Sequence, residues 1–225
     1  MRDPLLFENA ELQFTDPSKE FEISNKNQIG TGGFGKVFKV QRRKDGIDVA
    51  MKFCTPKEES EKNMLINEIG LMNQCQGDDS VVQIYGSFDY RDRIWIFLEL
   101  MDDDLTSIIM QYHLIYSENV VKFILLKILT GLEHMHSLNV IHRDIKSDNV
   151  LVNRRGQIKL ADFGYSCRLA SNEDKRKSQV GTVAWMAPEL VRGKKHGYNT
   201  SIDIWSYGIL AVELAQGDPP NIEKG

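Results

Sequence analysis

The sequence predicts an α+β fold with two lobes, a β-rich N-terminal lobe that contains one helix and an α-rich C-terminal lobe. Two observations support this prediction. Short runs of β-branched and aromatic residues dominate the chain up to about residue 100, with one helical stretch among them. Further along, apolar residues recur at helical spacing instead. The predicted boundary lies near residues 101–104, which divides the chain into a lead-in (1–20), a first lobe (21–101) and a second lobe (102–225).

The elements follow in chain order from the local pattern. A lead-in with two prolines and scattered charge indicates a loosely structured segment. In the first lobe, strands are predicted over 21–29, 37–42, 49–54, 81–88 and 94–100, and a helix over 58–75. In the second lobe, apolar residues at helical spacing predict a helix over 117–138, and a further helix over 201–216 is closed by Gly217. Between these helices, a hairpin is expected to turn at 153–157.

Composition and charge exclude several classes of function. The 225 residues are 41% hydrophobic and carry a net charge of -4, so we expect no DNA or RNA partner. No apolar run is long enough for a membrane span, and we expect no secretory signal. Cys54, Cys75 and Cys167 are an odd number of cysteines without metal-binding spacing. These features predict a cytoplasmic protein in a reducing environment.

A glycine-rich segment, GTGGFGKV at residues 30–37, is the first candidate for chemistry. Glycines let the backbone approach phosphate oxygens closely, although a glycine-rich hairpin turn has the same composition. The β-prone residues after it argue against a dinucleotide-binding fingerprint, which requires a helix there. Lys36-Val37 also does not supply the Lys-Ser/Thr pair of a Walker loop. The pattern therefore favours a nucleotide-binding turn between two strands.

Lys52 and Glu68 form the second candidate. Lys52 lies in VAMKFC at residues 49–54, and strand alternation places it on the same face as the small Ala50. Taken alone, it is more simply explained as a solvated lysine on a strand. Glu68 has only apolar residues at its i-4, i-3, i+3 and i+4 positions on the predicted helix. A carboxylate in such a stripe requires a buried partner.

The third candidate is the polar stretch NVIHRDIKSDNVLV at residues 139–152. Its Asp144 and Asn149, together with Asp162 in ADFG beyond the predicted hairpin, supply the hard oxygen ligands that Mg²⁺ prefers. Each piece alone is equally compatible with a polar surface loop. Their order and spacing together favour a site.

This set of motifs resembles that of the eukaryotic protein kinases, over nearly the whole chain from about Phe21. The resemblance implies ATP and Mg²⁺ as cofactors. Asp144 would accept the substrate proton, Asn149 and Asp162 would bind the metal, and Lys52, oriented by Glu68, would hold phosphates. The remaining ATP contacts would come from the glycine-rich segment, an apolar slot and a hinge, with Leu98 as the gatekeeper: Ile29, Gly30, Thr31, Gly32, Gly33, Phe34, Gly35, Lys36, Val37, Ala50, Leu151, Glu99 and Met101.

The resemblance also implies the type of substrate and a mode of regulation. Lys146, two residues after Asp144, and Thr182, which would tie the activation segment to both, are typical of serine/threonine kinases. Ser178 stands where related kinases carry an activating phosphate, which would pair with Arg143. The competing interpretation is an ordinary loop serine beside a solvated basic run.

The motifs DIKSDN, WMAPE and ELAQGDPP are most similar to the sterile-twenty group, particularly its PAK-like members, with the germinal-centre branch as an alternative. Gly181-Thr182-Val183-Ala184 departs from that group and resembles mixed-lineage kinases. We expect protein substrates, and an upstream activator or small GTPase-linked regulator outside this chain. The second lobe is predicted to be truncated, which would expose Ile204, Trp205, Ile209 and Leu210. An ATP-binding scaffold or interaction module with poor turnover is therefore the alternative function.

Overall fold

The computed structural model describes residues 10–32, 35–112, 117–171, 175–192 and 197–220. The chain forms two compact units. The first comprises the residues up to Gly77 and Val82–Met101, and the second comprises Asp78–Val81 and the residues from Asp102 onward. None of the helices in the described ranges combines the length and apolar character that crossing a membrane requires.

The first unit is built on a six-stranded antiparallel sheet with the strand order β1-β3-β4-β6-β5, to which β2 adds by pairing with β3. The strands are β1 (Phe21–Glu22), β2 (Gln28–Gly32), β3 (Gly35–Arg42), β4 (Asp48–Cys54), β5 (Ile84–Tyr90) and β6 (Arg93–Glu99). One face carries an aromatic core in which Phe21 stacks on Phe97 at 3.7 Å and Phe88 meets Phe97 edge-on. Burial of these rings is the main stabilisation of the sheet.

Helix α1 (Glu59–Gln74) buries Leu65, Ile69 and Leu71 in the first unit. The lead-in was predicted to be loosely structured, and this is wrong for residues 10–20. Gln13 pairs with β5 through hydrogen bonds to Ser87 and Asp89, and Ala10 is 1% exposed. These backbone contacts to an edge strand fix a segment whose composition predicts none.

The second unit is mainly helical. Its helices are α2 (Leu105–Tyr112), α3 (Glu118–Ser137), α4 (Pro188–Val191) and α5 (Ser201–Gln216), the last closed by Gly217 in the left-handed conformation. Short strands β7 (Asp103–Asp104), β9 (Val150–Val152) and β10 (Ile158–Leu160) form one small sheet, and β8 (Val140–Ile141) pairs with β11 (Cys167–Arg168). Gly131 lets α3 approach β10 closely, because a Cβ there would lie 2.9 Å from Leu160. This packing positions the loops between the strands.

Several predicted elements differ from the structure. The strand expected over 21–29 is two strands separated by Ile23–Asn27, and β5 begins at Ile84 rather than at Val81. Helix α2 was not predicted. Leu210 was expected at the surface but is fully buried in α5, whereas Ile204 and Trp205 are about half exposed as expected. The prediction failed for Leu210 because α5 packs against α3 within the second unit.

Candidate active site

In the first unit, Lys52 and Glu68 form a buried ion pair. Lys52 lies in β4 and Glu68 in α1, and the Lys52 Nζ is 2.9 Å from Glu68 Oε1. The two residues are 8% and 3% exposed. Two opposite charges in this low-dielectric position stabilise one another, and removing either would take this counter-charge away from the other. The buried partner that the sequence requires for Glu68 therefore includes Lys52.

The sheet places the predicted adenine contacts of the first unit on the face that carries Lys52. Val37 lies opposite Lys52, and Ala50 lies opposite Leu98. Residues directly opposite one another in an antiparallel sheet point to the same side. Ala50 is 8% exposed and Val37 is partly exposed. This face thus brings the apolar side chains of Val37, Ala50 and Leu98 close to the Lys52 ammonium group, and it lies opposite the aromatic core.

The glycine-rich segment is a hairpin of β2 and β3, as the sequence predicted. Gly30, Thr31 and Gly32 of β2 face Val37, Lys36 and Gly35 of β3. Gly33 and Phe34 lie outside the described residues. Gly35 has a φ of +138°, and a Cβ there would lie 3.3 Å from the carbonyl oxygen of Phe53. A glycine is therefore required for this close approach of backbone to backbone.

The other predicted nucleotide contacts are divided between the two units. Ile29 is 49% exposed next to a register shift in β2. Glu99 ends β6 and donates its backbone N–H to Gln83, and Met101 is the buried last residue of the first unit. Leu151 belongs to the second unit, where it is partly buried in β9.

In the second unit, Asp144, Lys146 and Thr182 form a hydrogen-bonded network. The Thr182 hydroxyl donates to Asp144 Oδ1 at 2.7 Å and accepts from Lys146 Nζ at 3.0 Å. Lys146 Nζ also lies 3.6 Å from Asp144 Oδ2. Asp144 is only 6% exposed. The network fixes a carboxylate beside an ammonium group, an arrangement suited to accepting a proton and neutralising nearby negative charge.

Asn149 and Asp162 are brought together by the backbone. The Ala161 N–H, directly before Asp162, donates to the Asn149 carbonyl at 2.9 Å. The Asn149 side-chain Nδ2 donates to the backbone oxygen and to Oδ2 of Asp144, both at 2.8 Å. Because both amide protons are directed at Asp144, the amide oxygen is the atom available to a cation.

The oxygens of Asn149 and Asp162 suit a Mg²⁺ ion that takes its remaining ligands from water and phosphate. Asp162 is exposed, and its Oδ1 accepts from the Gly164 N–H at 3.1 Å. In the described part of the chain, no group of three or more His, Cys, Asp and Glu side chains could hold a metal ion by itself. Mg²⁺ usually takes one or two protein oxygens and completes its coordination with water and phosphate oxygens.

Asp203, which the sequence interpretation missed, anchors the catalytic stretch. This fully buried carboxylate on α5 accepts from the backbone N–H groups of His142 and Arg143 at 2.9 and 2.8 Å, and its Oδ2 lies 2.9 Å from His136 Nε2. Arg143 has a φ of +69°, a strained conformation that the two backbone bonds help to hold. The signal that identified Glu68 does not apply to Asp203, because its i-4, i-3, i+3 and i+4 positions are Asn, Thr, Ser and Tyr.

His142 connects this anchor to the segment before Asp162. Its ring Nδ1 accepts from the Asp144 N–H at 3.3 Å, so Nε2 carries a proton and donates to the Ala161 carbonyl at 2.9 Å. The side chain is fully buried. A histidine that the sequence suggested only as part of a motif therefore joins two loop segments of the candidate site.

Arg143 and Ser178 are in direct contact. Arg143 Nη1 donates to the Ser178 hydroxyl at 2.8 Å and to the Tyr198 hydroxyl at 2.9 Å. The Tyr198 hydroxyl in turn donates to the Ser178 carbonyl at 2.6 Å. Ser178 is exposed. The guanidinium is thus already bonded to the hydroxyl oxygen that phosphorylation would esterify.

The chain is similar to known proteins over almost its whole length. Residues 23–224 match the protein kinase domain family. Serine/threonine-protein kinase pakA of Dictyostelium discoideum is 40% identical over 223 residues, 98% of this chain and 18% of that protein. The pakC kinase of the same organism is 39% identical over 211 residues, covering 92% and 43%. The shk1/pak1 kinase of Schizosaccharomyces pombe is 36% identical over 198 residues, covering 88% and 29%. The chain spans less than half the length of each of these relatives.

Proposed function

The chain belongs to the protein kinase family, and from this premise we propose that it is a PAK-like serine/threonine protein kinase that transfers the γ-phosphate of ATP to hydroxyls of protein substrates. The Asp144–Thr182–Lys146 network carries this proposal. The residues assigned to the reaction by the resemblance are present, and in the second unit Asp144, Lys146, Thr182 and Asn149 are hydrogen-bonded to one another. This completeness favours an enzyme over an ATP-binding scaffold.

Asp144 acts as the base in the proposed mechanism. Its carboxylate is held by Thr182 and Asn149, so that it accepts the substrate hydroxyl's proton without reorganising. Lys146 places a positive charge beside it, which offsets the negative charge that develops on the transferred group. Phosphoryl transfer has a loose transition state, so positioning and charge neutralisation provide most of the catalysis.

ATP and Mg²⁺ are implied by the family. In the first unit, Lys52 would hold the α- and β-phosphates, the glycine-rich hairpin would cover them, and Val37 and Ala50 would contact adenine. In the second unit, Leu151 would contact adenine, and Asn149 and Asp162 would be the metal ligands. When bound, the metal neutralises phosphate charge. The chain's own contribution is to hold the Lys52 ammonium and the Asn149 oxygen at fixed positions.

Specificity for Ser/Thr over Tyr hydroxyls is part of the proposal. The hydrogen bond between Lys146 and Thr182 supports it, because it fixes the loop feature that distinguishes serine/threonine kinases. A peptide array phosphorylated by the protein should yield phosphoserine and phosphothreonine. Phosphotyrosine as the main product would contradict the assignment.

We also propose that phosphorylation of Ser178 activates the enzyme. A phosphate there would form charge-assisted bonds with Arg143, which already contacts the hydroxyl. Ser178→Ala should be less active than wild type phosphorylated at Ser178. Mass spectrometry of the active wild type should locate the phosphate on Ser178. Full activity of Ser178→Ala, with unmodified Ser178 in active wild type, would refute the switch. A protein activator or small GTPase-linked regulator and a cytoplasmic setting complete the proposal, the latter supported by three cysteines that form no disulfide in the described part of the chain.

Phosphotransfer from radiolabelled MgATP to a serine peptide tests the main proposal. The wild-type chain should be active, and Asp144→Asn should reduce kcat by roughly 10²- to 10⁴-fold. Asp92→Asn is the matched control, because it makes the same substitution at an exposed carboxylate outside the candidate site, where asparagine tolerates the positive φ. Equal activity of Asp144→Asn and wild type would refute the proposed role of Asp144, and an inactive wild type that carries the Ser178 phosphate would refute the function.

A further inference from the structure

A surface cavity in the first unit lies next to the aromatic core, and the proposed mechanism does not use it. Its volume is about 470 Å³. Its walls come from the hairpin of β5 and β6, from the 3₁₀ turn Pro17–Lys19 with the residue before it, and from Ile23. Ligand pockets have volumes of about 300–1,000 Å³, so the cavity is large enough for a ligand. The side chains that line it therefore indicate which chemistry it suits.

Part of the cavity wall is apolar. Trp95 and Ile23 both belong to the aromatic core, and Pro17 is buried. The Trp95 indole Nε1–H donates to the Tyr90 carbonyl at 3.3 Å, so its only polar atom already has a partner. The part of this side chain that remains open to a ligand is therefore apolar ring surface.

Arg93 lines the cavity and is stacked on aromatic rings. Strand alternation places it on the same face of β6 as Trp95. Its guanidinium carbon lies 5.1 Å from the centroid of the Phe53 ring and 5.8 Å from that of Trp95. Cation–π contacts of this kind are attractive. The rings thus hold the guanidinium in place, and less side-chain entropy is lost when it binds a ligand.

A second arginine, Arg91, reaches the cavity from the turn between β5 and β6. Arg91 and Asp92 both have a positive φ, as in the tight turns that join antiparallel strands. The Arg91 guanidinium carbon lies 5.1 Å from the centroid of the Tyr90 ring, and Tyr90 pairs with Arg93 across the hairpin. Two guanidinium groups, each packed on a ring, therefore converge on one cavity.

The charge of the cavity favours an anionic ligand. Within the described ranges, the N–H groups of the two guanidiniums have no hydrogen-bond acceptor. Asp16 also lines the cavity. Hydrogen bonds from Ser18 lower the pKa of Asp16, and the positive charge of Arg91 acts in the same direction. Asp16 and Arg91 thus offset one another, and Arg93 leaves the lining positive on a protein whose net charge is -4.

An anionic membrane is the alternative ligand for a basic surface. Surfaces that bind anionic lipids carry clusters of about four to eight Lys and Arg residues. This cavity is instead concave and has two arginines beside one carboxylate. Trp, Tyr and Arg are the side chains that contribute most binding energy at protein–protein interfaces. All three types line the cavity, which therefore suits a protein partner better than a membrane.

We propose that this cavity is a docking site for an acidic segment of a partner protein. A large apolar side chain of the segment contacts Trp95 and Ile23, and a neighbouring carboxylate accepts hydrogen bonds from Arg93 and Arg91. Pairs of guanidinium and carboxylate are often bidentate, which adds specificity to the charge attraction. The site lies wholly within the first unit and shares no residue with the phosphotransfer machinery.

Selection from a random peptide library displayed on phage tests the chemistry of the partner. The immobilised 225-residue chain selects binders, and counter-selection on the Arg93→Glu chain removes peptides that bind elsewhere. The remaining peptides should share an acidic residue next to an aromatic or large aliphatic one. If no peptide survives counter-selection, or if the survivors lack an acidic residue, the proposal is wrong.

Fluorescence polarisation of the best selected peptide then measures the role of each arginine. Arg93→Glu should raise Kd by at least about 100-fold, because it removes the donors and adds a like charge. Arg93→Lys should raise Kd by about fivefold, since an ammonium group keeps the charge but not the planar fork. Arg155→Glu, the same charge reversal at an exposed arginine of the second unit, is the matched control and should change Kd by less than about twofold. Equal losses in Arg93→Glu and Arg155→Glu would reduce the interaction to unspecific charge attraction and overturn the proposal.

The three tryptophan indole N–H groups locate the bound peptide in an NMR titration. The Trp95 signal should shift on addition of peptide, whereas those of Trp185 and Trp205 in the second unit should not. Shifts of Trp185 or Trp205 without a shift of Trp95 would place the peptide elsewhere and contradict the docking site.

Two further measurements separate this inference from its alternatives. Phosphatidylserine vesicles should not sediment the chain in an Arg93-dependent way. If they did, and if no peptide were selected, a membrane surface would replace the protein partner. All binding measurements omit ATP, so an inactive chain would refute the proposed kinase function and leave the docking site standing. Conversely, Arg93→Glu should transfer phosphate at the wild-type rate to a serine peptide that lacks the docking sequence.

Discussion

The two units hold their functional side chains in different ways. In the first unit, Lys52 is fixed by a charged partner, Glu68, across a strand and a helix. In the second, Asp144 is fixed by neutral donors, while a fully buried carboxylate, Asp203, holds the backbone beneath it. The Lys52–Glu68 pair depends on the charges of two side chains. The Asp144 network depends in addition on the backbone geometry that Asp203 holds. Substitutions in the first unit should therefore act by removing a counter-charge. Substitutions in the second unit should act by displacing the catalytic side chains slightly.

Replacing Lys52 should have the largest effect. Lys52→Met would remove the phosphate contact and reduce kcat/KM by roughly 10²- to 10³-fold. It would also leave Glu68 buried without this counter-charge, which should cost about 3–5 kcal/mol of unfolding free energy. Chemical denaturation and phosphotransfer kinetics would measure the two effects.

The double variant Lys52→Met/Glu68→Leu separates stability from activity in the first unit. It should recover much of the lost unfolding free energy, since a buried ion pair can be replaced by apolar side chains. Activity should stay low. If activity returned together with stability, Lys52 would have only a structural role.

A small displacement in the second unit should have the next largest effect. Gly181 has a φ of +112°, and a Cβ there would lie 2.4 Å from the Arg143 carbonyl oxygen. Gly181→Ala should push Thr182 away from Asp144 and lower kcat by about 100-fold. Gly156→Ala is the matched control, because Gly156 also has a positive φ but has open space around it. Similar kinetics for the two variants would show that backbone strain, not the close approach, is responsible.

Loss of one hydroxyl should have a smaller effect. Thr182→Val keeps the side-chain shape but removes the bonds to Asp144 and Lys146, which should lower kcat by roughly 10-fold, the equivalent of about 1.5 kcal/mol. Thr182→Ser keeps the hydroxyl and should retain most of the activity. Equal losses in both variants would indicate that packing of the methyl group matters instead.

An exposed ion pair provides the smallest expected effect. Lys39 Nζ lies 2.6 Å from Asp48 Oδ2 in the same sheet as Lys52, but both side chains are about 40% exposed. Lys39→Met should change the unfolding free energy by less than about 1 kcal/mol and leave kcat unaltered. A loss comparable with that of Lys52→Met would contradict the view that burial makes the Lys52–Glu68 pair important.

Most elements of the fold were predictable where the local pattern was regular. The helices near 58–75, 117–138 and 201–216 appear within one residue of their predicted bounds. Helix α2 was missed because it is short and follows a run of acidic residues. Yet its start carries a recognisable signal, since Asp104 accepts from the N–H and the hydroxyl of Ser107.

The sequence by itself determined the residue types of the candidate site and the family to which the chain belongs. Periodicity placed Glu68 on an apolar face, and motif order related Asp144, Asn149 and Asp162, because such signals are local. Only the tertiary structure decided which buried carboxylates support the site. Asp203 meets His142 and Arg143, and Glu213 meets Ser147 and Trp185, across long stretches of chain. Local propensities do not specify such contacts, since they form only when α5 packs beneath the loops.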